Sequence, residues 1–385
     1  MKKITVIEFQ VLKYASRSRK EAFSLSKHWD VTLIGLNPDI KNNRVYYENN
    51  LRIVEVVVPI RDTKLRIGKP LNLVVFNFKA LRSLLAYRSD VVIMHNIKPL
   101  FAVLSARMFC KFKLVYDAHE LHSHKRPLSK RIDFLLTRID MFNEWLILRL
   151  ASKVIQASPE RAVYFARLYK TEMPIVIENH ANLADNVLHA DKEYEIDRIL
   201  GRKIIFTGNL SINGNQRIDN IIRSLAFIDD EIQFCLLGVG GSQIVKTLMS
   251  IAQENGVAER VHFLQPVRSE EVVSVLRKAH VAAIPIYATC RNSEYSALNK
   301  VSQSLMAGLP LACSDYANLH AIVYENAFGI AGSTFDVCNP RSIASAINDC
   351  LVNRERYVEN SLLLANTTFN WESQEKKLHK VILEL

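Results

Sequence analysis

Long apolar runs are missing from this sequence. The 385-residue sequence contains no uncharged apolar stretch of 18 residues. Its apolar run 99–106 is bounded by Lys98 and Arg107. A membrane-spanning helix is therefore not expected, because a span needs about 20 apolar residues. After its first three residues, MKK, the chain continues into a strand-like ITVIEF that contains Glu8. A secretory signal is not expected either, because that segment is not the apolar core of one.

Closely spaced cysteine pairs are also missing. The six cysteines lie far apart, at positions 110, 235, 290, 313, 338 and 350, and no C-x-x-C motif occurs. This spacing argues against a disulfide framework and predicts free thiols in a reducing compartment, so a cytoplasmic location is expected.

Glycine is scarce, and its distribution is uneven. Of twelve glycines, ten fall at or after Gly201, and several of these directly follow apolar runs, as Gly208, Gly238 and Gly240 do. Glycine after a parallel strand lets backbone N–H groups approach a phosphate. The second half of the chain is therefore predicted to bind a nucleotide. The alternative is that each of these glycines only permits a tight turn after a strand.

Charge is divided between the halves. Residues 1–180 hold 31 Lys and Arg against 16 Asp and Glu, a net charge of +15, whereas residues 181–385 hold 19 against 23, a net charge of −4. A basic surface attracts nucleic acid, anionic lipid or phosphorylated substrates. The alternative is that the charge serves solubility alone.

Apolar, β-rich runs alternate with helical patterns along the whole chain. This alternation indicates an α/β protein with two Rossmann-like, doubly wound parallel-sheet domains. We predict an N-terminal domain over 1–180, a connection over 181–200, a C-terminal domain over 201–367 and a closing helical segment over 368–385. The candidate strands cover 4–9, 31–36, 53–58, 91–94, 113–117, 153–157, 175–179, 203–208, 232–238, 261–264, 281–286, 309–314 and 328–332.

The most informative segment is NKVSQSLMAGLPL, which begins at Asn299 and Lys300. Asn299 and Lys300 open a predicted helix, where the helix dipole favours an anion and the lysine supplies a point charge for a diphosphate. The segment resembles the signature of the retaining family 4 glycosyltransferases of the GT-B fold. LVYDAHELHS (114–123) and IIFTGNLSINGNQRIDN (204–220) resemble further elements of that family, in the same order.

The resemblance implies a set of site residues. The donor site is expected to contain Gly208, Asn209, Asn213, Arg217, Gly240, Tyr295, Ser296, Asn299, Lys300 and Gln303. It further implies catalytic roles for His119 and Glu120 and contact of Ser16 and Arg17 with an acceptor, in a cleft between two facing domains. Neither a metal nor another cofactor is expected, because lysine and helix N-termini neutralise the leaving diphosphate.

The sequence departs from the family pattern at several of these positions. Two glutamates that the family usually carries correspond to Tyr295 and Gln303, and the usual phosphate-loop cations correspond to Asn209 and Asn213. Gln offers one carbonyl and one NH2 group where a carboxylate would accept two hydroxyls. Arg217 is a candidate replacement for the lost cations.

Three histidines, His119, His122 and His124, raise the question of a metal. Their i, i+3, i+5 spacing does not place all three on one helical face, and Ser123 stands where H-E-x-x-H needs histidine. A metal site is therefore not predicted, and His119 is either a donor-site residue, as the resemblance implies, or a loop histidine satisfied by backbone.

The basic segment 124–150 interleaves cations with aromatic and aliphatic residues. Such a helix is typical of a surface that lies on an anionic membrane. It is equally compatible with an ordinary core-facing helix that has a solvated basic side. No nucleic-acid-binding module accompanies it, and nucleic acid is not an expected partner.

The expected function is retaining transfer of a sugar from a nucleotide-diphosphate donor to a glycan or polyprenyl-phosphate-linked acceptor. The resemblance and the basic half together favour bacterial surface polysaccharide synthesis, with peripheral attachment at the inner membrane face. Two alternatives stay open: a non-catalytic glycosyltransferase-like subunit, and a sugar-nucleotide epimerase.

Overall fold

The computed structural model describes residues 1–39, 41–59, 68–124, 131–186, 192–212, 214–295 and 299–385. The chain divides into two compact units. Unit 1 contains residues 1–178 and 375–385, and unit 2 contains residues 179–374.

Unit 1 is built on an eight-stranded sheet. Its strands are β1 (Lys3–Val11), β2 (Asp30–Leu36), β3 (Arg44–Glu48), β4 (Leu51–Val56), β5 (Val91–His95), β6 (Lys113–Asp117), β7 (Lys153–Gln156) and β8 (Ile175–Val176). They lie in the order β3-β4-β2-β1-β5-β6-β7-β8, and each neighbouring pair is parallel except β3–β4. The order reverses at β1, so a crevice is expected where β1, β5 and β6 end.

The helices of unit 1 follow the strands in βαβ fashion. They are α1 (Ser16–Ser26), α2 (Gly68–Tyr87), α3 (Leu100–Arg107), α4 (Arg131–Leu150) and α5 (Pro159–Tyr169). Every side chain of β5 is buried, as expected for a central parallel strand with cover on both faces.

Unit 2 repeats this architecture with six strands. These are β9 (Arg202–Thr207), β10 (Ile232–Leu237), β11 (Val261–Leu264), β12 (Val281–Ile284), β13 (Leu311–Ser314) and β14 (Gly332–Phe335), in the order β11-β10-β9-β12-β13-β14 and all parallel. Its helices are α6 (Ile218–Ser224), α7 (Ser242–Glu254), α8 (Val272–Leu276), α9 (Arg291–Glu294), α10 (Asn299–Met306), α11 (Ala317–Tyr324), α12 (Pro340–Val352) and α13 (Arg354–Thr367). A last helix, α14 (Trp371–Leu383), begins in unit 2 and continues in unit 1.

Two hydrophobic clusters cover the faces of the unit 2 sheet. Ile204 and Phe206 belong to one cluster, whereas Ile205 between them belongs to the other. Successive side chains of a strand point to opposite faces, so both faces of β9 are buried. This explains why its sequence is continuously apolar.

One predicted strand needs correction, and one observed strand was not predicted. The segment 328–332 lies mostly outside any strand: Asn326 Nδ2 donates to the Gly329 carbonyl at 2.7 Å, and Gly329 adopts a φ of +101°. The strand β14 begins only at Gly332. The edge strand β3 was not predicted, and it is the antiparallel member of an otherwise parallel sheet.

No helix in the described part of the chain combines the length and apolarity that a membrane span requires. All six cysteines are free, and Cys235, Cys313 and Cys350 are buried.

Candidate active site

A pocket lies at the carboxyl ends of β9 and β10 in unit 2, where the strand order reverses. It has a volume of about 550 Å³. We call it the strand-end pocket, and the described residues that line it are Thr207, Gly208, Asn209, Leu237, Gly238, Val239, Pro266, Val267, Val272, Asn299, Lys300 and Gln303. Ligands of open α/β sheets bind at this kind of place.

Two glycines shape the floor of the strand-end pocket. Gly208 adopts a φ of +130°, which side-chain-bearing residues rarely adopt, and its N–H donates to the Leu237 carbonyl at 3.1 Å. A Cβ on Gly238 would lie 1.8 Å from the Gly208 carbonyl oxygen. The two loops can therefore approach each other only without side chains, which leaves backbone exposed beside the pocket.

Lys300 is the one charged side chain among the described residues that line the pocket. Its ammonium lies 4.4 Å from the centre of the Phe206 ring and donates to Gln216 Oε1 at 3.0 Å. Burial lowers the pKa of Lys300 to about 7. No carboxylate is ion-paired with it among the described residues, so an anion entering the pocket would favour the charged form of Lys300 without competing with a carboxylate.

Five of the predicted donor-site residues line the strand-end pocket together: Gly208, Asn209, Asn299, Lys300 and Gln303. Asn209 and Asn299 are exposed, and Gln303 is half-buried on the first turns of α10. The roles of these five in binding stay predictions.

Three other predicted donor residues, Arg217, Gly240 and Tyr295, do not line the described pocket. Arg217 is held by two hydrogen bonds to Asp219, each of 3.0 Å, and its guanidinium lies 5.5 Å from the Tyr287 ring centre. A Cβ on Gly240 would meet Leu210 at 2.8 Å, and Tyr295 caps the C-terminus of α9. None of these three lines the described pocket, whereas Asn213 and Ser296 lie outside the described residues.

The apolar side of the pocket, which Pro266, Val267 and Val272 supply, was not predicted from the sequence. Pro266 and Val267 come soon after the predicted strand VHFL, so the sequence indicates that they lie at the end of a strand. It does not indicate the order of the strands, and therefore not which strand ends are neighbours.

A buried network of charges occupies the corresponding edge of unit 1. Arg17 of α1 is 8% exposed, and it donates to Asp117 Oδ2 at 2.7 Å and Oδ1 at 3.2 Å and to the Ile177 carbonyl at 2.8 Å. Its Nε also lies 3.2 Å from Glu21 Oε1. Arg17, predicted to contact an acceptor, therefore has internal partners, whereas its neighbour Ser16 is exposed.

His95 lies at the centre of this network and was not predicted. Its Nε2 is 3.2 Å from Glu21 Oε2, and its Nδ1 is 3.3 Å from Asp117 Oδ2. Burial alone lowers the pKa of His95, but Glu21 and Asp117 outweigh burial and raise it to about 9. Burial in turn raises the pKa of Asp117, but Arg17 and His95 hold that pKa well below its usual range. Arg17, His95 and Asp117 are therefore charged partners at neutral pH.

His119 adjoins the network from the loop after β6. Its Nε2 lies 2.9 Å from Asn96 Nδ2, its Nδ1 lies 3.7 Å from Asp117 Oδ1, and Arg161 donates to its carbonyl. Asn96 adopts a φ of +58°, a conformation that asparagine tolerates better than most residues. The side chain of His119 is 19% exposed, so it is the part of this cluster that a ligand could reach, and Glu120 beside it is half-buried.

His95, Asp117 and His119 offer donor atoms within 4.8 Å of one another, the spacing of a possible metal site. His122 and His124 are not in this group. A cation there would compete with Arg17, whose guanidinium already binds Asp117, and with the proton on His95. The electrostatics therefore fit a charge network better than a metal, and the absence of a metal stays a prediction.

Comparison with known proteins finds a family match within unit 2. Residues 201–353 match the family model described as Glycosyl transferases group 1. This part of unit 2 is therefore similar to a group 1 glycosyltransferase domain. This domain holds all of the strand-end pocket, and its recognition confirms the resemblance seen in the NKVSQSLMAGLPL segment.

Curated relatives match only part of the chain. A D-inositol 3-phosphate glycosyltransferase of Mycolicibacterium vanbaalenii is 28% identical over 134 residues, which is 35% of this chain and 28% of that protein. The chain therefore matches less than a third of that relative's length.

Solved structures share the fold over the whole chain. Sucrose-phosphate synthase from Thermosynechococcus elongatus has a TM-score of 0.79 at 16% identity, covering 100% of this chain and 99% of that one. Anabaena HepE in complex with UDP-glucose has a TM-score of 0.71 at 15% identity, covering 100% of both chains. These matches confirm the predicted GT-B fold class.

Proposed function

We propose that the protein is a retaining glycosyltransferase that takes a nucleotide-diphosphate sugar in the strand-end pocket. The observation that carries the proposal is Lys300, a cation that has no ion-pair partner among the described residues and lies in a glycine-floored pocket at the carboxyl ends of β9 and β10. Its ammonium, held only by the neutral amide of Gln216, and the nearby N-terminus of α10 suit a diphosphate. Pro266, Val267 and Val272 offer an apolar surface to a nucleobase.

The group 1 glycosyltransferase domain and the UDP-glucose bound by HepE support this choice of donor. The acceptor is proposed to be a glycan or a polyprenyl-phosphate-linked sugar of a bacterial surface polysaccharide. That part of the proposal depends on the charge of the first half of the chain, +15 over residues 1–180. The transfer is proposed to need no metal, because Lys300 and the helix N-terminus would stabilise the leaving diphosphate.

The exposed face of α4 supports attachment to an anionic membrane at the cytoplasmic side. Its apolar side chains at the surface are Ile132, Phe134, Leu135, Leu136, Ile139, Phe142 and Trp145. Arg138 lies over the Phe134 ring at 5.1 Å and Arg149 over the Trp145 ring at 5.3 Å, so cations and apolar groups share one surface. This mixture is typical of helices that lie in a lipid headgroup region. Lys125, Arg126 and Lys130, which belong to the same basic segment, lie outside the described residues.

The donor proposal is tested with Lys300→Met, which keeps the methylene stem over Phe206 and removes the charge. We expect UDP to bind about 10- to 100-fold more weakly, because a hydrogen bond to a charged group contributes about 1.5–3 kcal/mol. Calorimetric titration measures the change, and Lys246→Met, at an exposed position of α7, is the matched control. Equal affinity in both variants would remove Lys300 from the donor site.

A non-catalytic subunit is the second candidate, and the residues Asn209 and Gln303 in the pocket favour it. They leave fewer charged groups around a donor than the family pattern provides. Incubation of the wild type with UDP-glucose and other nucleotide sugars separates the candidates. An enzyme releases UDP by transfer or slow hydrolysis, a binding subunit binds the donor without releasing UDP, and an epimerase returns an isomerised donor.

A further inference from the structure

A second pocket opens at the opposite edge of the unit 2 sheet. Arg202 is the first residue of β9, and His280 immediately precedes β12, so both mark the amino ends of neighbouring parallel strands. Together with residues 351–356, at the junction of α12 and α13, they line a cavity of about 600 Å³. We call it the basic pocket. No described residue lines both this pocket and the strand-end pocket, which lies at the carboxyl ends of the strands.

Three arginines converge on the basic pocket: Arg202, Arg354 and Arg356. Within the described part of the chain, none of them forms an ion pair or a side-chain hydrogen bond. The Nε of Arg354 is buried without a hydrogen-bond partner. Arginines that stabilise a fold usually have acceptors for these donors, because a buried unsatisfied donor costs about 1–3 kcal/mol. Here the arginines line a cavity, and Glu355 is the one carboxylate among the described residues that line it.

His280 adds a fourth donor. Its Nδ1 accepts the Lys203 N–H at 3.1 Å, so the neutral ring carries its proton on Nε2. Burial lowers the pKa of His280, and the charges of Arg354, Lys203 and Arg202 lower it further. Burial is the main cause of the lowered pKa, and the three cations around the ring act in the same direction.

The N-terminus of α13 adds positive charge to the basic pocket. The helix begins at Arg354, runs for 14 residues, and its N-cap residue Asn353 makes no side-chain hydrogen bond to the first turn. The partial positive charge of an uncapped helix N-terminus therefore adds to that of the arginines.

We propose that the basic pocket binds a small anion that carries a diphosphate group, as a second site separate from the strand-end pocket. Three guanidinium groups and an imidazole N–H supply more donors than a single carboxylate can accept, whereas the several oxygens of a diphosphate can accept them all. The volume lies within the range of pockets for small molecules and exceeds what a lone inorganic phosphate fills. The diphosphate could be free or part of a nucleotide, and both sources are tested.

The test measures binding of inorganic pyrophosphate and of UDP by calorimetry in the full-length protein. The variants are Arg202→Gln with Arg354→Gln, the single variant Arg356→Gln, the donor-pocket variant Lys300→Met and the charge-matched control Lys246→Gln. Because Arg356 is exposed, its substitution leaves the fold unaffected even if the double variant is unstable.

We expect pyrophosphate to bind at least tenfold more weakly to the double variant and about threefold more weakly to Arg356→Gln. Lys300→Met should retain pyrophosphate binding at the basic pocket, and Lys246→Gln should bind as the wild type does. If the ligand is nucleotide-borne, wild-type protein binds two UDP molecules and the double variant binds one; if it is free diphosphate, UDP binds once in both.

Unchanged pyrophosphate affinity in both the double variant and Arg356→Gln overturns the proposal, as does an equal loss in Lys246→Gln, which would show a general charge effect. Failure of the donor proposal has a different signature, since it appears as unchanged UDP affinity in Lys300→Met. Hydrogen exchange adds a second readout: pyrophosphate should protect residues 351–356 in Lys300→Met.

Discussion

At the scale of single residues, the pKa of Lys300 gives a direct test of ligand binding. Its pKa is about 7 because burial disfavours the charged form. A diphosphate next to the ammonium would raise that pKa towards its ordinary value of about 10.4. Binding near pH 7.5 should therefore draw a proton from solution.

The predicted proton uptake is measurable in the binding enthalpy. We expect titration of UDP at pH 7.5, in buffers of different ionisation enthalpy, to show uptake of roughly half a proton or more. Lys300→Met should abolish the uptake as well as weaken binding. Uptake that persists in this variant would assign the proton to another group, such as the ligand itself.

His95 makes the network of unit 1 sensitive to high pH. Its pKa is about 9 in the folded protein against about 6.5 in an unfolded chain. A raised pKa stabilises the fold fully below about pH 6.5, and this contribution is lost as the pH rises through about 9. The fully buried imidazolium then contributes on the order of 2–3 kcal/mol at pH 6 and little above pH 9.

We expect His95→Gln to destabilise unit 1 at pH 6 by roughly that amount and much less at pH 9.5. Hydrogen exchange of the amides of β5 and β6, corrected for the intrinsic effect of pH, measures the local free energy of opening. The same substitution should leave exchange of the β10 amides in unit 2 unchanged. A difference between wild type and variant that is equal at both pH values would contradict an ionised His95.

Part of this network could have been read from the sequence. His95 ends β5 and Asp117 ends β6, and both runs were predicted as strands. The two residues are register partners in neighbouring strands, but strand order is set by the packing of helices against the sheet and not by local pattern. The sequence therefore indicated His119 and Asp117 as close neighbours in the chain. It did not predict that His95 and Glu21 join them, or that Arg17 binds Asp117 within the unit.

At the scale of elements, most strands of both sheets were predictable because they are continuously apolar. The strand β3 was missed since four of its five residues are exposed, so burial imposes no pattern on them. The prediction of a strand over 328–332 was wrong because the side chain of Asn326 forms hydrogen bonds with the backbone of Phe328 and Gly329. Apolar periodicity does not reveal such hydrogen bonds.

The buried face of α4 could not be predicted from the sequence pattern either. This face includes Thr137, Glu144 and Ile147, and Glu144 accepts hydrogen bonds from Tyr116 at 2.8 Å and Tyr169 at 2.5 Å. Polar groups thus anchor the helix, whereas several large apolar groups face outwards. An amphipathic pattern alone predicts the opposite orientation.

The outward face of α4 leads to a prediction about membranes. Phe142 and Trp145 stack with ring centres 5.8 Å apart and are 60% and 43% exposed. We expect Phe142→Ser combined with Trp145→Ser to weaken binding to anionic vesicles at least tenfold, because the aromatic area no longer enters the headgroup region. Sedimentation with vesicles measures the change.

The control for this element is Phe227→Ser, which removes an exposed aromatic ring from unit 2. It should bind vesicles as the wild type does. If the α4 variant also retains binding, the helix is not the membrane-binding element, and its apolar face must serve another partner.

At the scale of the whole molecule, the division of charge makes a prediction about orientation. Residues 1–180 carry +15 and residues 181–385 carry −4, so an anionic surface attracts one half and weakly repels the other. Each cation near such a surface contributes on the order of 1 kcal/mol, screened over a Debye length of about 10 Å at 0.1 M salt. A few cations of unit 1 would therefore suffice to hold the protein on the bilayer, and only at moderate ionic strength.

We expect the protein to bind vesicles containing anionic lipid at 0.05 M salt, to leave them at 0.5 M and to ignore neutral vesicles. Hydrogen exchange on the vesicles should show protection in unit 1, at α4 above all, and none at the basic pocket of unit 2. Protection at residues 351–356 would mean instead that anionic headgroups occupy the basic pocket. Equal binding to neutral vesicles would show that apolar contact alone suffices, and the positive charge of unit 1 would then be free to serve an anionic acceptor.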